Sequence, residues 1–539
     1  MEPILSNPKV KSAIRQIAVR AERNNSKTTV DSFYDCHIIE HLDNINHQVI
    51  QGRRGTGKTH ILKVLQHHIE AEHVHCFFFD CQATGSAGEI ADENIPEKHR
   101  AIQLMRDFLM DMCSDFTEYF KDTLYTHPNW FEIDSLLTQL HDECFVCEDT
   151  VNEYEDVRNH GEKTSYSSEK TLEVSGFKPS FLWKRFSHKQ KEQDTGVSRK
   201  TSGTSYKKII FPNINKCLDR LSLTTGVEFV ILIDEWSHLP LSVQPHFAEF
   251  LHCCLMSSKH ITVKIAVVEA RANYSIKKDS VVYGLELGAD INADIDLDRL
   301  YMFDRNSGKI SIDLYKMLWK HLKASGVLSD DIDVSVLIET LFGGEQHPAI
   351  LLARAAEGNP RDFISIVNKC IIEMNGIGEH NGYITSAIVF QAANSWYKSD
   401  KYKALSATQK KILSEISTYV IQTRGNRGFV VDENYLYSTQ LSALIDARVM
   451  HVLQTQRKFP NLGKGPMAIL VLDFGTYSQE LLTKQSIHFI TNDECEKVIF
   501  SEGPSAGRNA TLYPLDGDRK FRMCFLNPQR VDSFPSFFE

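Results

Sequence analysis

Apolar residues along this chain follow two rhythms. Short, continuous apolar runs recur through the first half: "HQVI" ending at Ile50, "HVHCFFFDC" at 73–81, "VEFVILIDE" at 227–235 and "ITVKIAVVEA" at 261–270. Runs this short and this apolar predict strands covered on both faces. Segments with helical spacing separate them. Ile61, Leu62, Val64, Leu65 and Ile69 predict a helix over 59–72, and 98–125, 133–147, 212–223 and 244–256 are expected to be helical as well. The order strand, glycine loop, helix, strand predicts a parallel α/β unit with helices on both faces.

From about 308 onward the pattern turns nearly all helical, as in "SIDLYKMLWKHL", "RDFISIVNKCIIEM" and "YITSAIVFQAANSWY". A further small domain opens at "LSATQKKILSEISTYVIQTR", read as one helix, and "ENYLYSTQLSALIDARV" could hold two more. "VMHVLQTQR", "KFPNLGKGPM" and "AILVLDFG" then read as strand, wing and strand, a winged-helix order. That fold binds DNA in many proteins and protein partners in others.

The totals narrow the class. The chain has 539 residues, 42% hydrophobic and 24% charged, which suits a soluble protein of several domains. Its net charge of −10 argues against a chain that coats nucleic acid along its whole surface. Twelve cysteines are spread widely, many in apolar runs, as expected of reduced thiols. The start lacks a signal-peptide pattern and no run of about 18 apolar residues occurs. We therefore expect a cytoplasmic protein with no membrane partner. Residues 148–206 are polar, and Lys184 to Lys208 holds eight Lys/Arg against two acids. A solvated flexible excursion and a phosphate-binding loop both fit that stretch.

Candidate chemistry begins at Gly52-Arg53-Arg54-Gly55-Thr56-Gly57-Lys58-Thr59, which fits G-x-x-x-x-G-K-[ST]. The glycines let successive backbone N–H groups face one anion, and the following helix adds its positive end. Lys58 is expected to neutralise the β/γ-phosphates of ATP and the Thr59 hydroxyl to bind Mg²⁺. His60 completes the segment assigned to the nucleotide. "VEFVILIDE" supplies the second half of the site: Asp234 for Mg²⁺ and Glu235 to orient or deprotonate the attacking water. Lys58 and Glu235 are thus the candidate catalytic residues.

After the next strand, Glu269 and Arg271 are candidates to sense the γ-phosphate, and Arg271 is the better phosphate contact. "EGNPRDF" places Arg361 at the first turn of a helix, where it could reach the nucleotide from a separate subdomain. Two other clusters lack a metal-site pattern. Asp290, Asn292, Asp294, Asp296 and Asp298 alternate with Ile291, Ala293, Ile295 and Leu297, which predicts a half-exposed strand rather than a calcium loop. Cys144 and Cys147, with His141 near, have no second close pair to complete a zinc site.

Together, "GRRGTGKT", "ILIDE", the arginine after the following strand, "GNPR" and the winged-helix pattern resemble the AAA+ and STAND branch of P-loop ATPases. The resemblance is strongest to the origin-recognition-complex-like ATPases. "GLELGADINADIDLDRLYMFD" and "NHQVIQGRRGTGKTHIL" are also similar to stretches of bacterial ATP-binding proteins, some linked to phage defence. The resemblance implies Lys58 and Thr59 on phosphate and Mg²⁺, Asp234 and Glu235 on metal and water, and Arg271 and Arg361 as first and second sensors. No arginine finger is identified; Arg299 and Arg305 are candidates, and each suits a surface position equally well.

The division this implies is an N-terminal extension at 1–30 and a P-loop core at 31–305 with a long insertion at about 98–206. A helical lid at 306–402, a winged-helix-like domain at 403–485 and a C-terminal segment at 486–539 follow. The expected function is a Mg-dependent ATPase acting as a conformational or assembly switch, in a homo-oligomer or with a protein effector. A nucleotide-held module with negligible turnover and a DNA-stimulated remodelling ATPase are the alternatives. For the last, Lys403 to Lys464 carries nine Lys/Arg and four Asp/Glu, and Arg457, Lys458 and Lys464 flank the expected wing. Weak DNA binding there is expected to be salt-sensitive.

Overall fold

A computed structural model describes residues 2–17, 26–70, 73–83, 90–121, 127–145, 210–278, 281–303, 307–376, 382–423, 427–457, 466–483, 487–492, 495–500, 511–514 and 520–526. The chain divides into two units, Phe145–Ile210 and the rest. The polar excursion at 148–206, Cys147, Arg305, Lys458 and Lys464 lie outside the described residues.

Five parallel strands form the central sheet: β1 (Gln48–Gln51), β2 (Val74–Asp80), β3 (Glu228–Asp234), β4 (Ile261–Val267) and, beyond the antiparallel hairpin β5 (Ser275–Lys278) and β6 (Val281–Gly284), β7 (Asn292–Asp296). Their spatial order is β2-β3-β4-β1-β7. The aspartate-rich stretch thus supplies the edge strand β7, paired with β1. Alternation along the strands serves both faces. Cys76, Val230 and Leu232 meet Ile61, Leu62 and Leu65 of the helix Lys58–Ile69 on one side. On the other side, Phe79 lies 4.8 Å from Phe108 and Phe229 stacks on Phe116 at 4.4 Å.

Phe108 and Phe116 belong to the helix Glu97–Lys121, so the start of the expected insertion is part of the sheet's cover. A second helix, Trp130–Phe145, follows it. The reason is visible in the spacing: Leu104, Phe108, Leu109, Met112 and Phe116 make a buried stripe. Lys264 is an unexpected feature of β4. It is buried, and its ammonium donates to the carbonyls of Asn44 at 3.0 Å and Asn46 at 2.9 Å and to Gln48 at 2.5 Å. Burial lowers its pKa to about 8.

The segment expected to be a lid holds helices Ser307–Ala324, Val334–Phe342, Gln346–Ala355, Pro360–Gly376 and Ser386–Trp396. Its core includes Ile4, Leu5, Val10 and Ile14, so the described start of the chain is a component of the lid rather than a free extension. The same core continues into the next domain through Ile412, Leu413, Phe429, Leu444, Leu470 and Phe474. Phe390 of the lid stacks on Phe474 at 5.7 Å. Lid and C-terminal domain therefore share one apolar interior.

In the C-terminal domain, helix Ala407–Ser417 opens with a capping box between Ser406 and Gln409. Strands β8 (Gly428–Asp432), β9 (Met450–Arg457) and β10 (Met467–Leu472) pair antiparallel in the order β8-β10-β9. Helix Thr439–Asp446 lies between β8 and β9 in sequence. The sequence pattern had no strand at β8, because "GFVVD" is too short to stand out. Further strands β11 (Ile487–Asn492) and β12 (Cys495–Phe500) form a hairpin. The last two, β13 (Thr511–Pro514) and β14 (Lys520–Phe525), extend the domain's sheet, β14 lying parallel to β8. Among the described residues no helix is long and apolar enough to cross a membrane.

Candidate functional site

The glycine loop leaves the carboxyl end of β1, between β4 and β7, where open α/β sheets form their ligand crevice. Gly55 and Gly57 have φ of +90° and +93°, which L side chains avoid. A Cβ on Gly55 would also sit 2.7 Å from the side chains of Arg361 and Asn359. The helix starts at Lys58 itself, so its free N–H groups point into the loop. Lys58 folds back and donates to the carbonyls of Gly52 at 2.7 Å and Arg53 at 3.0 Å. Burial pulls its pKa down to about 8, against the charges of Asp298, Asp234 and Glu235.

Thr59 hydrogen-bonds the Asp234 side chain. Asp234 is buried, and burial raises its pKa to about 6 despite that bond and the N–H of Glu235 at 2.8 Å. A hydroxyl and a carboxylate together are the hard oxygen donors that suit Mg²⁺. The donor set therefore fits a Mg·triphosphate. Glu235 has a left-handed backbone, φ 53°, and its carboxylate lies 3.3 Å from His238 Nε2. Asp80 ends β2 directly beside Asp234, an acidic neighbour that the strand pattern did not single out.

The lid reaches the loop through "GNPR". Asn359 donates to the Arg54 carbonyl at 2.8 Å, and the Arg361 N–H donates to the Gly55 carbonyl at 3.3 Å. The charge of Arg361 also acts on Lys58 and adds to the lowering of its pKa. Gly358, φ +76°, allows the chain to pass against the Tyr301 carbonyl, where a Cβ would come within 1.5 Å.

The C-terminal domain also reaches it. Arg53 donates from Nε and from its backbone N–H to Asp298, at 2.7 and 2.8 Å, and its guanidinium contacts His451 Nδ1. His451 passes the link on to Asp473 at 3.1 Å. Burial, reinforced by Arg53, lowers the His451 pKa to about 4, so its neutral ring accepts from Arg53 and donates to Asp473. Asp446, the last residue of helix Thr439–Asp446, pairs with Arg271 and lies 4.0 Å from Arg54.

Behind these contacts runs a buried ionic network. Lys401 lies 2.9 Å from Asp362 and 2.6 Å from Asp473, Arg448 lies 3.3 Å from Asp362 and 2.5 Å from Asp400, and Arg427 lies 3.1 Å from Glu357. Burial pushes Asp362 up, but Arg448 and Lys401 outweigh it and hold the carboxyl well below the usual range.

The structure thus gathers Gly52, Arg53, Arg54, Gly55, Thr56, Gly57, Lys58, Thr59, Asp234, Glu235 and Arg361 around one crevice. Arg271 stands on the short turn after β4, engaged by Asp446. His60 is placed differently. Its Nε2 meets the Thr29 carbonyl at 2.6 Å and its ring packs on Phe33, because the first turn of the helix carries it away from the loop. Arg299 is exposed on the helix Leu297–Tyr301. Asp298, Glu357, Asn359, Asp446 and His451 were not expected. Only Glu357 and Asn359 had a nearby signal, as neighbours of Arg361 in "EGNPR".

Comparison with known proteins bears on this site. Residues 18–73, which carry the glycine loop, match the family model described as ORC-CDC6-like. The match covers the glycine-loop segment alone. No curated protein matches the chain. Among solved structures, a Walker-type ATPase of Pyrococcus abyssi is 12% identical, with 86% of this chain and 99% of that one covered at a TM-score of 0.34. Cdc6p from Pyrobaculum aerophilum is 10% identical, with 88% and 98% covered at 0.28. Drosophila ORC bound to DNA is 11% identical, with 88% and 91% covered at 0.27. Such scores carry no argument, so the similarity to ORC-CDC6-like proteins rests on residues 18–73.

Proposed function

We propose that this chain is a Mg-dependent ATPase whose nucleotide state decides whether the C-terminal domain stays docked on the P-loop. One observation carries the reading: Asp446 engages Arg271 and approaches Arg54, two cations well placed for phosphate. A triphosphate in the crevice competes with that carboxylate for both guanidinium groups.

In this reading the backbone N–H groups of Gly52 to Thr59 hold the phosphates, and Lys58 leaves its loop carbonyls to neutralise the β/γ charge. Thr59 and Asp234 would hold Mg²⁺, which would supply Lewis-acid charge at the terminal phosphate. Glu235 accepts the proton of the attacking water, and Arg271 and Arg361 report the γ-phosphate to the lid. The contacts at the loop are polar, whereas lid and C-terminal domain share an apolar core. The pair is therefore suited to move together as one body over a polar seam.

Phosphate release from ATP, with Glu235→Gln as the silent control, tests the enzymatic part. A wild type inactive with and without DNA would leave a nucleotide-held switch. DNA stimulation would support the loading or remodelling reading instead, which the order β8-β10-β9 and the local basic charge favour as the second choice. A role in a defence system rests on the sequence resemblance alone.

A further inference from the structure

We infer that Glu249, His252, Cys253 and Asp290 form a binding site for a zinc-class divalent metal, joining the outer helix of the sheet to the loop after β6. The ligand atoms of Glu249, His252 and Cys253 all lie within 4.8 Å of one another. Cys253 Sγ is 3.2 Å from Glu249 Oε1, and His252 Nε2 is 3.7 Å from Asp290 Oδ1. Ligands about 2.0–2.3 Å from one tetrahedral ion sit roughly 3.3–3.7 Å apart. The three clustered groups therefore need only small rotations to converge, and Asp290, beside the imidazole, is the fourth ligand we assign.

The local fold explains why they meet. Helix Gln244–Phe250 widens into a π-helical turn over Leu251–Met256, a feature common at functional sites. Cys254 and Leu255 face the core there, while His252 and Cys253 face outward. Each carboxylate is oriented by a backbone N–H, that of Glu249 from the facing loop and that of Asp290 from within its own. The Gly284 N–H donates to Glu249 Oε2 at 2.8 Å, and the Glu286 N–H donates to Asp290 Oδ2 at 2.8 Å. In both cases the second oxygen is left facing the sulfur or the imidazole. Such outer hydrogen bonds are what fix ligating carboxylates. Gly284 holds its position with φ +119°, where a Cβ would fall 2.2 Å from the Tyr274 carbonyl.

Thiolate, imidazole and carboxylate together select zinc over Mg²⁺ or Ca²⁺. Binding is a ligand exchange without redox change. The Cys253 thiol gives up the proton it now donates to Glu249, that proton leaves to solvent, and a metal–sulfur bond forms. None of the four residues belongs to the nucleotide crevice, so the inference stands apart from the ATPase reading.

The test is titration of the chelator-treated full chain, kept reduced, with Co²⁺. We expect a sulfur-to-cobalt charge-transfer band in the near ultraviolet, saturating at one equivalent and displaced by Zn²⁺. Cys253→Ser should abolish the band, and His252→Ala should weaken binding at least tenfold, with unchanged circular dichroism in both. Zn²⁺ should also slow alkylation of Cys253 by iodoacetamide in the wild type at least tenfold, read by peptide mass. A wild type without a saturable band, a Cys253→Ser variant that retains it, or alkylation indifferent to Zn²⁺ would each overturn the inference.

Discussion

Asp446 and Arg271 form an ion pair between the C-terminal domain and the turn that follows β4. The pair spans 175 positions of sequence, and its carboxylate is the one that also approaches Arg54 of the glycine loop. Of the two cations proposed to contact phosphate, Arg271 is thereby held by the protein's own acid and Arg54 lies close to it. Asp446→Asn should release them. Coupling between sites is typically about 1–3 kcal/mol, so Mg·ATP is expected to bind roughly tenfold more tightly to the variant. A fluorescent-nucleotide titration checks this, and equal affinity would mean that Asp446 does not compete.

Lys58→Ala should lose most Mg·ATP affinity with the fold intact, because Lys58 is the ammonium held against the loop carbonyls of Gly52 and Arg53. Glu235→Gln should still bind and turn over about 10²-fold more slowly, as for loss of a positioned base. Binding and phosphate release measured on the same preparations separate these effects. A Glu235→Gln enzyme as fast as wild type removes that residue from the chemistry.

The buried network predicts where stability resides. Lys401 faces Asp362 and Asp473 with no access to water. Removing one partner of such a cluster leaves uncompensated charge and costs about 3–5 kcal/mol. Lys401→Ala should therefore melt many degrees below wild type. Arg220→Ala, which breaks an exposed pair with Glu132, should change stability by less than about 1 kcal/mol. Similar melting of the two variants would show that the network is not a stability element.

Asp234 pulls the other way. Its folded pKa, about 6, exceeds the ordinary carboxyl value, so the folded state favours the proton. That contribution to stability is complete below the unfolded pKa and disappears as pH rises through about 6. At neutral pH the charged form is held at a cost. Asp234→Asn is thus expected to be as stable as wild type or more so at pH ~7, while losing Mg-dependent ATP binding. Asp362 and Asp473, both held low, act oppositely: their stabilisation is present above the ordinary carboxyl pKa and is lost on acidification. Thermal melts across pH for wild type and Asp234→Asn check the sign.

The parts of this site that could be read from the chain are those with local patterns. The glycine loop is one contiguous octapeptide, and Asp234 and Glu235 stand at the end of an apolar run. Asp446, His451 and Asp473 carry no such mark, because their partners lie in other domains and pairing over that distance leaves no periodicity. Lys264 and Lys401 read as surface residues by type, and only the surrounding carbonyls and carboxylates make their burial tolerable. The start of the chain looked like an extension for a similar reason. Ile4, Leu5, Val10 and Ile14 are too few to announce a core, yet they complete the lid's.

The most direct test of the central claim is hydrogen exchange of the Glu235→Gln variant with and without Mg·ATP. If the triphosphate displaces Asp446, amides of helix Thr439–Asp446 and of β9 around His451 should exchange faster when Mg·ATP is bound, while those of the glycine loop slow. Unchanged or slower exchange in that helix, with the loop protected, would show that ATP binds without undocking the C-terminal domain and would contradict the account.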